Sequence, residues 1–171
     1  VLRSHLRLLG AHFPKGVCGA NLDVLARGPM WDLGLDYRCG TGHGVGHILN
    51  VHEGPNAFRW NPKNPDDLVP LVPGMITSDE PGIYIEGQFG IRHENEVLAV
   101  NLDKNAYGQF MGFEPLTWVP FDVDGLDVDE MEPAEVAWLN AYHAKVYEKV
   151  SPYLNEQQRQ WLAHACRPLI R

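Results

Sequence analysis

A stretch rich in glycine and histidine, residues 39–55, constrains this chain more than any other part of its sequence. It reads Cys-Gly-Thr-Gly-His-Gly-Val-Gly-His-Ile-Leu-Asn-Val-His-Glu-Gly-Pro, with histidines at positions 43, 47 and 52. Because glycine has no Cβ, its backbone can approach an ion, a ligand or another strand closely. Histidine is the commonest metal ligand and changes charge near neutral pH. The stretch therefore predicts a functional site.

Carboxylates that complement these histidines follow two apolar runs downstream. Glu80 ends the run that begins at Met75, directly before Pro81 and Gly82, where the chain must turn. Glu94 and Glu96 lie within residues 92–96, Arg-His-Glu-Asn-Glu, and strand periodicity places both on the same face as Arg92. Any one of these acids alone would be assigned to a solvated turn or strand face. Together with the histidines they form the composition of a metal site.

Composition limits the classes of partner. The 171 residues carry a net charge of −8 with scattered basic residues, which argues against a nucleic-acid partner. No apolar run approaches the roughly 20 residues that span a bilayer, so no membrane partner is expected. Cys18, Cys39 and Cys166 are too far apart for a disulfide framework, which favours a reducing cytoplasm. The start at Val1, without methionine, predicts an excised piece of a longer protein.

Hydrophobic periodicity and turn residues predict helices at both ends and strands between them. Strands with short connections favour an antiparallel sheet, and the plan as a whole is an α+β fold. In the last helix Trp161, Leu162 and Ala165 are expected on the buried side. The predicted helices cover residues 1–11, 20–33, 133–150 and those after Asn155, and the predicted strands cover 75–84, 90–102 and 109–119.

Four ordered motifs together resemble the catalytic half of aminopeptidase P, the Xaa-Pro aminopeptidases: residues 40–46, 49–55, 79–82 and 90–95. From residue 137 onward the chain is similar to the C-terminal helical extension of the larger cytosolic members. The resemblance implies the α+β pita-bread fold shared with methionine aminopeptidase, prolidase and creatinase. The fold would be incomplete at its N-terminal side, with an antiparallel sheet flanked by helices. Residues 1–120 would form a partial catalytic domain and 121–171 a helical extension packed on it.

The resemblance also implies a site and its roles. His43 corresponds to the histidine ligand of a two-metal centre, Glu80 to a carboxylate ligand that also transfers a proton, and Glu94 to the carboxylate that bridges both ions. His52 corresponds to the catalytic histidine that hydrogen-bonds the substrate, whereas His47 ranks as a neighbour. Two divalent ions are implied, usually Mn²⁺, with a peptide substrate that has proline in second position. The full-length protein would be a cytoplasmic homodimer.

The chain departs from the family pattern at two places. Cys39 stands where prolidase-like members often have a histidine, and the family's two aspartate ligands have no counterpart here. Asp32 and Asp36, like Asp23, are too near His43 in sequence. Two divalent ions carry four positive charges, whereas this chain supplies two carboxylates and one imidazole as ligands. The expectation is a C-terminal fragment that folds but is inactive alone.

Two other readings of the same residues stay open. The first is a metal-free pita-bread module that binds peptides or proteins in the same cleft. The second is a mononuclear zinc hydrolase that uses Cys39, His43 and His47 with a water molecule, since zinc takes such ligands. The zinc reading leaves Glu80 and Glu94 without a role.

Overall fold

The computed structural model describes residues 1–48 and 50–170, apart from the side chain of Asp66. Leu49, which belongs to the glycine and histidine stretch, and Arg171, at the end of the expected extension, lie outside the described residues. The chain divides into two compact units, Val1–Thr117 and Trp118–Arg171.

The described part of the first unit contains two α-helices, α1 and α2. Leu2, Leu6 and Leu9 recur at helical spacing, and all three are buried on α1. Helix α2 tolerates Pro29 within its last turn and ends two residues later, whereas the sequence predicted a helix to residue 33 with a kink or an early stop at that proline. The bounds are Leu2–Leu9 for α1 and Gly19–Trp31 for α2.

Eight strands complete the described part of the first unit, and all of their pairings are antiparallel. In chain order they are β1 Phe13–Pro14, β2 Gly42–His43, β3 Ala57–Phe58, β4 Ile76–Asp79, β5 Gly82–Ile85, β6 Phe89–Arg92, β7 Asn95–Asn105 and β8 Gly108–Pro115. Four of them form one sheet in the order β1-β8-β7-β4. The others form two pairs, β2 with β3 and β5 with β6. The expected antiparallel sheet is confirmed, and a 3₁₀ helix at Pro65–Leu68 precedes β4.

The two long strands predicted around the carboxylates are each broken in two. The first breaks at Glu80 and Pro81, because proline cannot donate to a ladder; the second breaks at His93 and Glu94. Strand β4 pairs with β7, whereas β5 and β6 form a separate hairpin that turns at Gly87. Arg92 therefore does not share a strand with Glu96, contrary to the expectation. Instead, Glu80 and Glu94 lie at the two breaks, where the hairpin leaves the sheet.

The core of the first unit lies between the sheet and the two helices. Its members are apolar side chains from α1, α2 and the strands, and they are almost fully buried. They are Leu8, Ala11, Phe13, Leu22, Ala26, Phe58, Leu71, Ala99 and Met111. This core fixes the position of β4 and β7, whose ends carry the candidate site residues.

The second unit is helical, with α3 at Pro133–Val150, α4 at Glu156–Ala165 and 3₁₀ helices at Val128–Glu130 and Ser151–Tyr153. Pro133 begins α3, and a capping box between Asn155 and Gln158 begins α4, as the sequence predicted. Leu162 is buried as expected. Trp161 is 64% exposed, so its assignment to the buried side was wrong. Among the described helices, none has the length and apolarity that a bilayer span requires.

Candidate functional site

Three neighbouring strands bring the site residues to one place. An isolated bridge between Gly44 and Thr77 holds the end of β2 against β4. On the other side of β4, Ser78 lies directly opposite Glu96 of β7. Opposed residues of an antiparallel pair project to the same face. The side chains of Ser78 and Glu96 therefore share one face at the site.

His43 and Glu80 form the central contact of the site. The Nε2 atom of His43 lies 3.0 Å from Oε1 of Glu80, and the two side chains are only 16% and 11% exposed. The Nδ1 atom of His43 lies 3.0 Å from the carbonyl oxygen of Gly44, to which it can only donate. In the neutral ring this leaves the Nε2 lone pair directed at the carboxylate, an arrangement that a shared proton or a cation can bridge. The ring of His52 packs on that of His43, with centroids 4.3 Å apart.

Ser78 joins the two members of this pair. Its hydroxyl accepts a hydrogen bond from the backbone N–H of His43 at 3.1 Å and donates to Oε1 of Glu80 at 3.0 Å. The side chain is fully buried. A buried hydroxyl with both roles used holds its neighbours in one geometry. Sequence reasoning missed Ser78, because a serine within an apolar strand carries no chemical signature of its own.

Arg92 approaches the pair from the end of β6. Its Nη1 atom lies 2.8 Å from Oε2 of Glu80 and 3.7 Å from Oε2 of Glu94, and its Nε–H donates to the hydroxyl of Tyr84 at 2.7 Å. Burial acts to lower the pKa of Arg92, but the hydrogen bond to Tyr84 and the charge of Glu80 outweigh it and raise the pKa. The guanidinium therefore stays charged and links the two carboxylates.

Glu96 was noted in the sequence as a complementary carboxylate, but the predicted metal ligands did not include it. Its Oε2 atom is buried and has no hydrogen-bond partner among the described residues. Burial, followed by the charge of Glu94, raises the pKa of Glu96. An unpartnered buried carboxylate oxygen is costly unless a proton or a cation satisfies it. The spacing Glu-x-Glu at the start of a buried strand was the available signal.

Two glycines permit the close approach of these strands. A Cβ on Gly42 would overlap the carbonyl oxygen of Ser78 and would lie 2.8 Å from the ring of Phe58. A Cβ on Gly44 would overlap the carbonyl oxygen of Glu53. Strand β2 can therefore carry His43 to Glu80 only with glycine on both sides of the histidine.

The structure brings together His43, His52 and Glu80, and it joins Glu94 to Glu80 through Arg92. His47 is exposed in a turn. The thiol of Cys39 lies 3.7 Å from the carbonyl oxygen of Gly82. Within the part of the chain that the structure describes, no three His, Cys, Asp or Glu side chains converge as an ion would require. The zinc set of Cys39, His43 and His47 is therefore not formed.

The residues present fit a divalent cation in kind but not in number. An imidazole nitrogen at 3.0 Å from a carboxylate oxygen, with the unpartnered oxygen of Glu96 on the same strand face as Ser78, is a donor set that Mn²⁺ or Zn²⁺ accepts. At this site, the only imidazole and carboxylate in contact among the described residues are those of His43 and Glu80. Arg92 holds the second oxygen of Glu80. A complete centre needs further donors, consistent with the charge shortfall expected from the sequence.

Comparison with known proteins places the whole chain in one family. A family profile described as metallopeptidase family M24 matches residues 1–101, and one described as the C-terminal region of peptidase M24 matches residues 109–169. Aminopeptidase P1 of Arabidopsis thaliana is 44% identical over an alignment of 173 positions, which covers 99% of this chain and 26% of that protein. Aminopeptidase P2 of the same plant is 46% identical over an alignment of 175 positions, which covers 100% of this chain and 24% of that protein. The chain thus spans about a quarter of the length of these curated relatives.

Solved structures agree with the sequence match. The X-prolyl aminopeptidase of Caenorhabditis elegans, described as a cytosolic enzyme with a di-nuclear active site, superposes with a TM-score of 0.88 at 39% identity. That match covers 99% of this chain and 28% of the nematode chain. The X-Pro aminopeptidase of Thermotoga maritima gives a TM-score of 0.52 at 37% identity, over 70% of this chain and 30% of its own. The expected pita-bread fold is confirmed, and this chain belongs to metallopeptidase family M24.

Proposed function

We propose that these 171 residues are part of a metal-dependent aminopeptidase that removes the N-terminal residue from peptides with proline in second position. The contact between His43 and Glu80, with Nε2 and Oε1 3.0 Å apart and nearly buried, is the observation that carries the proposal. Aminopeptidase P relatives at 44% and 46% identity support the substrate class. The reaction adds water across the peptide bond between the first residue and proline.

The residues of this chain have distinct tasks in that reaction. Glu80 takes a proton from the attacking water and passes it to the proline nitrogen, which must be protonated to leave. His52 donates a hydrogen bond to the oxygen of the scissile carbonyl, where negative charge develops. Arg92 holds Oε2 of Glu80 and Ser78 holds Oε1, so that the carboxylate keeps one orientation. Divalent ions held by His43, Glu80 and Glu94 would polarise the carbonyl.

The 171 residues alone are proposed to lack activity. Two divalent ions carry four positive charges, and the contacting donors described here are one imidazole and one carboxylate, with Glu94 and Glu96 nearby. Too few donors leave each coordination shell open. We expect calorimetry of this chain with Mn²⁺ to show weak binding, and an Xaa-Pro peptide to remain uncleaved. Hydrolysis by this chain that depends on manganese and stops with a chelator would contradict this part of the proposal.

Four finer expectations stay proposals. The ions would be Mn²⁺, which suits carboxylate ligands. The full-length protein would be a cytoplasmic homodimer, and the exposed aromatic side chains of Tyr153 and Trp161, 87% and 64% exposed, supply apolar area for such an interface. Residues 1–120 would form the catalytic portion and 121–171 its helical extension. The expected cytoplasmic location agrees with a nematode neighbour that is described as cytosolic.

A second candidate is a metal-free module that binds peptides in the same cleft. The contact of 2.8 Å between Arg92 and Glu80 favours it, because an arginine already neutralises the carboxylate that an ion would need. Such a module would bind an Xaa-Pro peptide equally well with and without a chelator. Loss of peptide binding in the presence of a chelator would exclude it.

The activity itself is tested in a chimera. These 171 residues replace the matching segment of a full-length aminopeptidase P relative, which supplies the remaining three quarters of the enzyme. We expect the chimera to release the first residue from an Ala-Pro peptide and to leave the matched Ala-Ala peptide intact. A folded chimera that cleaves neither peptide, or that prefers the Ala-Ala peptide, would overturn the proposed function.

A further inference from the structure

A concave pocket of about 300 Å³ lies beside the segment that leads into β2. Basic side chains concentrate there although the chain as a whole carries a net charge of −8. The pocket also contains an indole and the backbone at Gly40. The side chains that matter to its chemistry are Arg27, Arg38, Arg59, Lys63, Trp60 and Asp36.

Asp36, the acidic side chain of this pocket, already accepts hydrogen bonds from its neighbours. Oδ1 of Asp36 accepts hydrogen bonds from Nη1 of Arg27 at 3.0 Å and from the indole N–H of Trp31 at 2.9 Å. Arg27 also donates to Oδ2 of the buried Asp23 at 2.6 Å and to two backbone carbonyls. Burial acts to lower the pKa of Arg27, and Asp23 outweighs it, so that the pKa is raised. Arg27 and Asp36 therefore form one side of the pocket, where their charges neutralise each other and hydrogen bonds hold both side chains in place.

Within the described part of the chain, the other three basic side chains of the pocket have no such carboxylate partner. Among the described side chains, no carboxylate lies within ion-pair distance of Arg38, Arg59 or Lys63. The nearby carboxylate of Asp67 accepts hydrogen bonds from the backbone N–H groups of Lys63 and Asn64 instead. Three like charges around one concavity create a positive potential that attracts an anion.

We propose that this pocket binds a carboxylate group of a peptide that occupies the site at His43 and Glu80. A carboxylate accepts paired hydrogen bonds from a guanidinium, and an adjacent indole face supports the apolar part of the residue that carries it. The half-exposed Trp60 is packed edge-on against Trp31 at 6.3 Å, which holds the indole at the pocket. The proposal rests on the proposed function for the direction of the peptide.

Chain connectivity sets an upper limit on the distance between the pocket and His43. Gly40 lines the pocket and lies three residues before His43, so their Cα atoms are at most about 11 Å apart. An extended peptide advances about 3.3 to 3.6 Å per residue and covers that distance in about three residues. With its first residue at the site, the peptide would place its third or fourth residue at the pocket. An acidic side chain or the C-terminal carboxylate at that position fits.

The test reads binding directly, without turnover. The ¹⁵N-labelled chain is titrated with the amidated peptide Ala-Pro-Ala-Glu and with its matched Ala-Pro-Ala-Gln, and the indole N–H signal of Trp60 is followed by NMR. We expect a saturable shift and a Kd at least about tenfold lower for the Glu peptide. Arg59→Gln and Lys63→Gln should each remove most of this preference. Lys104→Gln, which removes an exposed charge on β7 outside the pocket, should leave it intact.

Several outcomes would overturn the proposal. Equal affinity for the Glu and Gln peptides, or a preference that survives Arg59→Gln and Lys63→Gln, would mean that the pocket does not select a carboxylate. Inorganic phosphate that saturates the Trp60 signal at lower concentration than the Glu peptide would assign the pocket to a free anion. Equal affinity for peptides with Glu at positions three to six would remove the link to the site. A selective shift of the Trp60 signal by the Glu peptide, together with no cleavage by the chimera, would support the pocket as a carboxylate site and contradict only the proposed function.

Discussion

At the scale of single residues, Ser78 connects groups that the sequence treats as separate. Its hydroxyl contacts both the backbone of His43 and the carboxylate of Glu80, at 3.1 and 3.0 Å. Removal of a buried hydroxyl leaves its partners without a hydrogen bond, which costs roughly 1 to 3 kcal/mol. The orientation of the Glu80 carboxylate should therefore depend on Ser78.

A double-mutant cycle measures this dependence. We expect Ser78→Ala and Glu80→Gln to couple by about 0.5 to 1.5 kcal/mol in the free energy of unfolding, determined by urea titration of this chain. The pair Ser151→Ala and Glu114→Gln, on separate elements, serves as the control and should be additive. Additivity of the Ser78 and Glu80 variants to within about 0.3 kcal/mol would show that the hydroxyl does not hold the carboxylate.

His143 predicts a pH dependence of stability in the helical unit. Burial lowers its pKa to about 4, and its Nε2 accepts a hydrogen bond from the backbone N–H of Phe121 at 3.0 Å. The unfolded chain binds the proton near pH 6.5, whereas the folded chain does not until about pH 4. The contribution of neutral His143 is therefore complete above pH about 6.5 and is lost as the pH falls toward 4.

The variant His143→Gln keeps an acceptor and removes the titration. We expect the free energy of unfolding of the natural chain to fall between pH 7 and pH 4.5 by roughly 1 to 3 kcal/mol more than that of the variant. Urea titrations at the two pH values give both differences. Identical pH dependence in the two proteins would mean that His143 is not buried in its neutral form.

At the scale of elements, the glycines of β2 decide whether His43 reaches Glu80. Gly42→Ala should cost about 3 kcal/mol or more, because its Cβ would overlap the carbonyl oxygen of Ser78. Gly28→Ala is the matched control, since a Cβ there meets nothing within 4 Å and lies inside helix α2. That change should add about 0.5 to 1 kcal/mol of stability. Thermal and urea unfolding of both variants give the comparison, and a mild Gly42→Ala variant would show that β2 can move away from β4.

The helix boundaries were predictable from the sequence where local hydrogen bonding sets them. The strand boundaries were less predictable where they depend on pairing with distant strands. Pro133 and the Asn155–Gln158 capping box set helix starts through local hydrogen bonding, and the structure confirms both. The sequence marked a turn at Pro81, but it did not show that the predicted strands would divide there and again at His93, because the different partners of β4 and β5, and of β6 and β7, decide both breaks. Trp161 was misplaced for a similar reason, since helical periodicity alone does not say which face meets the core.

The site was predictable in its chemistry and only partly in its membership. His43 and Glu80 stand out in the sequence because histidine and glutamate flanked by glycine and proline carry a recognisable pattern. Ser78 and Arg59 do not, since their importance comes from strand register and from the closure of a pocket. Glu96 was noted among the carboxylates, but its buried, unpartnered oxygen becomes evident only in the structure. Tertiary neighbours of this kind appear only when the strands are paired.

At the scale of the whole molecule, the His43 and Glu80 pair is proposed as the centre of an enzyme, and this chain spans about a quarter of the length of the curated relatives. The most direct test is the turnover number of the chimera on an Ala-Pro peptide, with Glu80→Gln compared against Glu114→Gln, an exposed glutamate on β8. We expect Glu80→Gln to lower kcat by about 10³-fold or more and Glu114→Gln to leave it unchanged. A Glu80→Gln chimera that keeps kcat within about threefold of the parent would contradict the account, because catalysis would then not depend on this carboxylate.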